Sequence, residues 1–469
     1  MYIEENMEKK FTKIIGTSKS AFDQFVINGD IQLREARLIP ILKPGDEMAL
    51  TSVFLTSIRL IKEFRKMILS ASKITTNGKI FVYTEVTFPD NQDSRVDGLL
   101  LVVKGGIIKD AAIFEMKNGH NELEQDQIDR YIKLARTFNI PNLISVSNQF
   151  VSDPTQFPIN IRIPKSVSVY HFSWSYLLTL AHILLFDNDT NIEDTDQVEI
   201  MQEVVNYFES PKSGVMGFNR MKPGWKEVIE KINSGTRLKA IDSDVEQTIQ
   251  SWQQEERDMA LILSRKLGVI VNSGEAKYKG NLKARLEDDK KKLITEFTLN
   301  SILRVKNAIS SIEITAFFKK RSIEMSVKMT APQNKTIRGQ LSWLSQQFQK
   351  CEKKSEKLYS KIHSEILVEI RFKGKINLER VSIESLNSIY PELKDKVVKE
   401  FNIIFIKDFG KGFSSVSKFV EIIEQMLVDY YRGIIQYLVK WEKPAPKIKE
   451  NSVSQLEQAQ GAEEILIDE

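Results

Sequence analysis

Asp97, Glu115 and Lys117 are the residues whose types and order could do chemistry in this chain of 469 residues. Glu115 and Lys117 stand two apart in KDAAIFEMKNG, with Met116 between them. Side chains alternate faces along a strand, so on a strand Glu115 and Lys117 share one face and Met116 takes the other. Asp97 lies in SRVDGLLLVV, just ahead of the apolar run Leu99 to Val103. Antiparallel pairing of the two stretches brings Asp97 beside Glu115. Two convergent carboxylates make an oxygen-ligand site of the kind magnesium uses. A lysine beside them can orient or deprotonate a water, or stabilise charge developing on a phosphate. Gln127 and Tyr131 follow in NELEQDQIDRYIKLA, four apart and so one above the other on a helix.

The elements that must position these residues are short and well punctuated. KIFVYTEVTF, SRVDGLLLVV and KDAAIFEMKNG are rich in β-branched and aromatic residues and bounded by Pro, Asn, Asp or Gly, which predicts three strands. Gly105-Gly106 between the second and third signals a hairpin. Leu123, Ile128, Tyr131, Ile132 and Ala135 recur at helical spacing. Ahead of the strands, Pro44-Gly45-Asp46 opens a predicted helix, EMALTSVFLTSIRLIKEFRKMIL, whose stripe is Glu47, Leu50, Phe54, Ile58 and Ile61. Glu47 is an acid at the head of an apolar stripe. It reads either as a first-turn acid favoured by the helix dipole or as an acid turned toward the site. Glu85 on the first strand is a further acid, and Arg95 a cation that could meet a phosphate.

The ordered set resembles the PD-(D/E)XK nuclease superfamily, with its restriction-endonuclease-like fold. The residues that carry the resemblance are Asp97, then Glu115-Met116-Lys117, then Gln127-x-x-x-Tyr131, the last similar to the Q-x-x-x-Y motif of the RecB-like branch. The literal Pro-Asp pair is Pro89-Asp90 in a polar loop, so Asp97 is taken as the motif acid and Asp90 as the second candidate. The resemblance implies metal-dependent hydrolysis of phosphodiester bonds, in DNA first and RNA second. It implies Mg2+ or Mn2+ held by Asp97 and Glu115, with Glu47 as a further ligand. Lys117 would position or activate the attacking water, and Gln127 and Tyr131 would brace the site or touch the nucleic-acid backbone. An endonuclease of prokaryotic anti-phage or anti-plasmid defence is the expected setting. The alternatives are a DNA repair or recombination nuclease, and a non-catalytic binding module on a nuclease scaffold.

The expected fold class is α/β: an N-terminal restriction-endonuclease-like mixed sheet flanked by helices, plus a C-terminal α+β domain. LISVSNQF and SVSVYHF read as further strands, and SWSYLLTLAHILLF as a helix that Ser173 could cap. The expected domains are 1–232, including a connector whose Phe218, Met221 and Trp225 pack on the nuclease-like part, then 242–443, then a disordered acidic tail, 444–469. In the second domain Asp242-Ser243-Asp244 should cap a long helix closed by Gly268. SIEITAFF and SIEMSVKM should form a hairpin across Lys319-Lys320-Arg321. A helix from Ser414 to Trp441 carries Phe419, Ile423, Met426, Tyr430, Ile434 and Leu438, toward a core or a dimer face. A phosphate-contacting surface there would use Lys283, Arg285, Lys290, Lys291, Lys292, Lys319, Lys320 and Arg321. The same domain could instead pair two copies or bind a partner defence protein.

Composition narrows the classes. The length calls for more than one core, and a hydrophobic fraction of 42% fits a soluble chain. The net charge is +4; the last twenty residues hold six acids and no Lys or Arg, so the body before them is more basic than the whole. That suits a polyanionic partner. A single cysteine, Cys351, excludes an intrachain disulfide and a Cys-based zinc site. His120, His171, His182 and His363 have no metal-ligand spacing, and His171 and His182 are expected in core or surface roles. The acidic stretch 187–199 reads as a solvated loop. No GxxxxGK[ST] occurs, so no nucleotide-triphosphate engine is evident. The charged start, MYIEENMEKKF, lacks the apolar core of a signal peptide, and no apolar run reaches membrane-spanning length, so a cytoplasmic location away from the membrane is expected.

Overall fold

A computed structural model describes residues 11–35, 46–89, 95–151, 154–186, 192–278, 281–374, 379–393 and 397–442. Asp90, the residues 187–191 of the acidic stretch and the tail 444–469 lie outside the described residues. The chain is mixed α/β and carries two sheets, one of six strands and one of seven.

The first sheet takes its strands in chain order: β1 (Gln32–Glu35), β2 (Lys79–Thr87), β3 (Val96–Lys104), β4 (Ile107–Met116), β5 (Asn142–Ser147) and β6 (Ser168–Ser173). The first four pair antiparallel, and β4, β5 and β6 run parallel. The alternation read from sequence therefore buries both faces. On one face Phe54, Phe114, Trp174 and Phe208 pack with the helices α2 (Glu47–Leu60), α3 (Lys62–Ala71), α5 (Trp174–Phe186) and α6 (Thr195–Glu209). On the other face Leu99, Ile113, Ile128 and Tyr131 pack with α1 (Lys19–Ile27) and α4 (Gln125–Thr137). Asp46 caps α2 by accepting the Met48 N–H at 2.9 Å. The single helix expected from Glu47 onward is two helices, broken at Ile61. Ile61 is extended (φ −100, ψ 108) and fully buried, and Arg65 donates to the freed carbonyls of Ile58 and Arg59 at 3.3 and 2.8 Å. Ser173 does cap α5, accepting the Tyr176 N–H at 3.2 Å.

Two backbone features set the register around the future site. Gly105 and Gly106 have φ +60 and +74 and join Lys104 to Ile107, the doubly left-handed turn that matches strand twist. A bulge follows at once: Val103 faces Ile108 but Val102 faces Asp110, leaving Lys109 as the extra residue. Asp110 pins that bulge. Its carboxylate accepts the N–H of Ala111 (2.9 Å), the amide of Asn142 (2.9 Å) and the N–H of Thr75 (3.1 Å).

The second sheet is antiparallel and runs β12-β11-β13-β10-β9-β8-β7, from β7 (Asn272–Ser273), β8 (Thr298–Arg304), β9 (Ile312–Phe317), β10 (Ser322–Thr330), β11 (Ile366–Phe372), β12 (Glu379–Ser382) and β13 (Val398–Asp408). Ile312, Ile314 and Ala316 on β9 and Ile323, Met325, Val327 and Met329 on β10 are buried by strict alternation, and Ser322 faces Phe317 across the expected hairpin. Helices α7 (Gly224–Asn233), α8 (Ser243–Leu267), α9 (Leu282–Thr295), α10 (Ile337–Lys354), α11 (Glu356–Ile362) and α12 (Lys418–Gly433) complete this part. Gly268 ends α8 at φ +65, the left-handed position a C-terminal glycine favours.

Several expectations change here. Met221 and Trp225 pack into the second core, not onto the first sheet. Trp225 sits among Trp252, Phe318, Phe413 and Phe419, and its indole N–H donates to the Phe413 carbonyl at 2.8 Å. Phe218 spans the change, edge-on to Phe150 of the first part. The last long helix stops at Gly433, yet Ile434 and Leu438 remain buried with Phe419, Ile423, Met426 and Tyr430, so that stripe faces the chain's own core. Arg285 is buried against Glu256 and Asp289 rather than presented to a phosphate. Strands β8 and β12 and helix α9 were not anticipated from sequence. Among the described residues no helix is long and apolar enough to cross a membrane.

Candidate active site

The site forms where β3 begins and β4 ends. The bulge at Lys109 puts Gly98 opposite Phe114, and one step on Asp97 meets Glu115. Beyond the last paired residues the Met116 N–H turns to the Asp97 carboxylate, at 2.7 Å. Met116 itself is fully buried on the opposite face. Glu115 is 0% exposed, and Lys117 Nζ lies 2.6 Å from its Oε1 in a close ion pair outside hydrogen-bond angles. Glu115 Oε2 is buried and accepts no hydrogen bond among the described residues.

Lys117 is held from three sides. Its N–H donates to the Val146 carbonyl at 2.8 Å, and its carbonyl accepts the Trp174 indole N–H at 2.7 Å. Glu47, the first residue of α2, reaches across with Oε1 3.7 Å from Lys117 Nζ, while its Oε2 accepts the Asn118 N–H at 3.3 Å. Glu47 thus comes to the site beside the lysine, and its charge adds to the upward shifts of Asp97 and Glu115. Among the described residues no group of three or more His, Cys, Asp or Glu is arranged to hold a metal ion. A pair of carboxylates is nonetheless the protein complement magnesium commonly uses, with waters and substrate phosphate supplying the rest.

Burial dominates the electrostatics. It lifts the Asp97 carboxyl well above its usual range, and the neighbouring Glu115 charge adds to the lift, against the Met116 N–H. Burial also raises Glu115, partly offset by Lys117. Two neighbouring acids withdrawn from water disfavour each other's charge, so both take up a proton more readily than free carboxyls do. For Lys117 burial pulls the pKa down, but the Glu115, Glu47 and Asp97 carboxylates outweigh it and the net movement is upward. The lysine is therefore an ammonium at neutral pH. It can orient a water and stabilise phosphate charge, which narrows the chemistry expected of it from sequence.

Gln127 and Tyr131 come together as their spacing predicted, the Gln127 amide donating to the Tyr131 hydroxyl at 3.2 Å. The Tyr131 hydroxyl donates to the Arg95 carbonyl at 2.7 Å, which fixes the entry to β3 two residues before Asp97. Burial, then the nearby Glu115 and Asp97 charges, push its pKa up, so it stays a donor. Arg95 is half-exposed and pairs with Glu85 at 2.7 Å. Glu85 is buried, and its backbone is left-handed at φ +55.

Three other contributors carried no signal in the sequence. Trp174 grips the lysine carbonyl. Asn148 donates to the carbonyls of Gly119 and Gly214 at 2.9 and 2.8 Å, closing the loop that leaves Lys117. Asn118 hands its N–H to Glu47. By contrast His171 stands apart from the site. It is fully buried between the Ser145 hydroxyl and the Gln149 carbonyl, both at 2.8 Å, and burial lowers its pKa to about 4. The donor set of Asp97 and Glu115, with an orphaned buried oxygen on Glu115, fits a hard divalent cation. Compared with models of known protein families, with curated proteins and with solved structures, the chain gave no match.

Proposed function

We propose that this chain is a metal-dependent nuclease of the PD-(D/E)XK kind, acting on DNA. The observation that carries the reading is the half-buried Asp97 beside the fully buried Glu115, with the Lys117 ammonium 2.6 Å from Glu115. Asp97 and Glu115 would hold Mg2+ or Mn2+. A bound divalent ion supplies charge neutralisation at a scissile phosphate and a water of lowered pKa. On this reading Lys117, an ammonium beside Glu115, would orient a water and stabilise charge on the phosphate oxygens. Glu47 keeps that ammonium within reach, and Trp174 and Val146 keep its backbone still. Tyr131 and Gln127 hold the start of β3, so that Asp97 keeps its position. A role in defence against phage or plasmid DNA is the setting we infer, with repair or recombination as the second.

The test is cleavage of supercoiled plasmid with magnesium, manganese or EDTA, comparing wild type with Lys117→Ala. Metal-dependent nicking that the substitution abolishes is the expected result, and it would mark an endonuclease, since a closed circle has no ends. If wild type leaves the plasmid intact, and calorimetry finds no manganese binding that Asp97→Ala removes, the catalytic reading falls.

A further inference from the structure

Three of the eight cations that the sequence offered for phosphate contact are engaged in ion pairs. Arg285 is buried in an ion-pair network, and Lys290 and Lys292 lie beside Glu287 and Asp288. A different place on the second sheet combines charge with aromatic surface. Where β10 ends and α10 begins, a cavity of about 470 Å³ is lined by Trp343, Trp441, Lys328, Lys440, Met329 and Asn334, among others. Its charged lining residues are both lysines. Trp343 and Trp441 stand at 83° with ring centroids 6.1 Å apart, so a flat ring parallel to one meets the edge of the other. The Trp441 indole N–H donates to the Asn334 side chain at 3.0 Å, which fixes the ring on the cavity wall. Lys335 Nζ lies 4.8 Å from the centre of that same ring. Lys328 is paired with Glu313, while Lys335 and Lys440 are exposed and make no ion pair among the described residues.

An apolar slot walled by indoles and rimmed with cations has a definite complement: a planar aromatic group that carries negative charge. We propose that this cavity is a subsite for an unpaired nucleobase with its phosphate. The base stacks on Trp441 against Trp343 and Met329, and the phosphate meets Lys440 and Lys335. Duplex DNA cannot enter without unstacking, because its bases present only edges. Single strands offer every base face to an aromatic ring and are drawn to basic surfaces. The proposal does not rest on the cleavage reading. A chain without nuclease activity could still bind in this way.

The experiment uses the full chain in EDTA, so that nothing is cut. Tryptophan emission is followed while adding a mononucleotide, a single-stranded oligonucleotide, or a duplex of equal length. Trp174, Trp225 and Trp252 are fully buried, so quenching reports Trp343 and Trp441. Quenching by the oligonucleotide that weakens about tenfold in Trp441→Ala supports the proposal, being the size expected when one stacked base is lost. Lys440→Glu, an exposed change remote from the core, should weaken binding without altering the melting temperature, and Trp441→Phe should retain most of it. Equal affinity for the mononucleotide and the oligonucleotide assigns a free nucleotide; tighter oligonucleotide binding assigns a strand. Absence of quenching by both probes overturns the proposal. So does binding of all three probes that neither Trp441→Ala nor Lys440→Glu changes.

Discussion

Asp97 accepts the backbone N–H of Met116 across the strand boundary, at 2.7 Å, and by that bond is fixed beside Glu115. Asn at position 97 keeps an acceptor of the same shape but lacks the charge. Ala keeps neither. Both Asp97→Asn and Asp97→Ala should therefore lower cleavage by about 100-fold or more, the order seen when one group stabilising a transition state is removed. Only Asp97→Ala leaves the Met116 N–H buried and unpaired, at a cost of about 1–3 kcal/mol. Cleavage assays together with thermal melts would separate the two losses. A melting temperature lowered equally by both substitutions would contradict this account.

The acid pair also ties stability to pH. The folded protein holds a proton on Asp97 and Glu115 that the unfolded chain, with ordinary carboxyl groups, gives up above about pH 4. Between the ordinary value and the raised one the folded state binds more protons than the unfolded state, so stability falls as pH rises. Metal-free protein should thus lose melting temperature as pH rises above the ordinary carboxyl range, more steeply than Glu115→Gln does. Added magnesium should restore the loss at the higher pH. Melts across that range, with and without metal, decide it.

A second acid cluster, at the junction of the two sheets' domains, titrates in the same sense. Glu424 is lifted to about 8, first by burial and then by Asp258, with Arg265 opposing and Glu421 adding. Asp258 is buried, accepts the Phe218 N–H at 2.7 Å and takes the Ser175 hydroxyl at 3.0 Å. Glu255 is also buried, with both carboxylate oxygens unpaired among the described residues, and burial pushes it upward too. Stability from these groups is lost as pH climbs toward and through about 8. Glu424→Gln should flatten the decline in melting temperature above neutral pH and leave plasmid cleavage at pH 7 unchanged.

Gly98 sits next to Asp97 and has no room for a side chain. A Cβ there would lie 2.6 Å from Leu55 Cδ1 and 3.1 Å from Phe114 Cβ. Gly98→Ala should cost about 1–3 kcal/mol through overpacking. It should also reduce cleavage, because α2 and β4 are the two elements pushed apart and they carry Glu47 and Glu115. Denaturant melts and activity on the same preparation would test both parts.

How much of this was legible in the sequence depends on which force set each feature. Short β-branched runs and the double glycine predicted β2, β3 and β4 and the antiparallel pairing of β3 with β4, since a two-residue turn joins only antiparallel strands. The four-residue spacing of Gln127 and Tyr131 predicted their contact. Other features answer to tertiary packing. The left-handed backbone at Glu85 is not written in a glutamate. Helix α2 breaks at Ile61 because a buried isoleucine is worth more to the core than to a continuous helix. Met221 and Trp225 are apolar residues in a connector, and nothing local says which of two cores receives them. Trp174 is apolar in sequence and acts at the site only through its indole N–H.

The bulge at Lys109 carries a further meaning. Counting back from the Gly105–Gly106 turn without it would set Asp97 against Phe114, on the wrong face, and the acids would never meet. The separation of Asp97 and Glu115 is therefore matched to the bulge: deleting Lys109 itself would abolish the bulge and leave Asp97 opposite Glu115. Deleting one paired residue of β4 with the bulge kept would turn one acid away from the other. Adding or removing a matched pair around the glycine turn preserves the phase. A site of this kind is vulnerable to a single-codon insertion or deletion in the paired part of β3 or β4, at places no survey of its contacting residues would include.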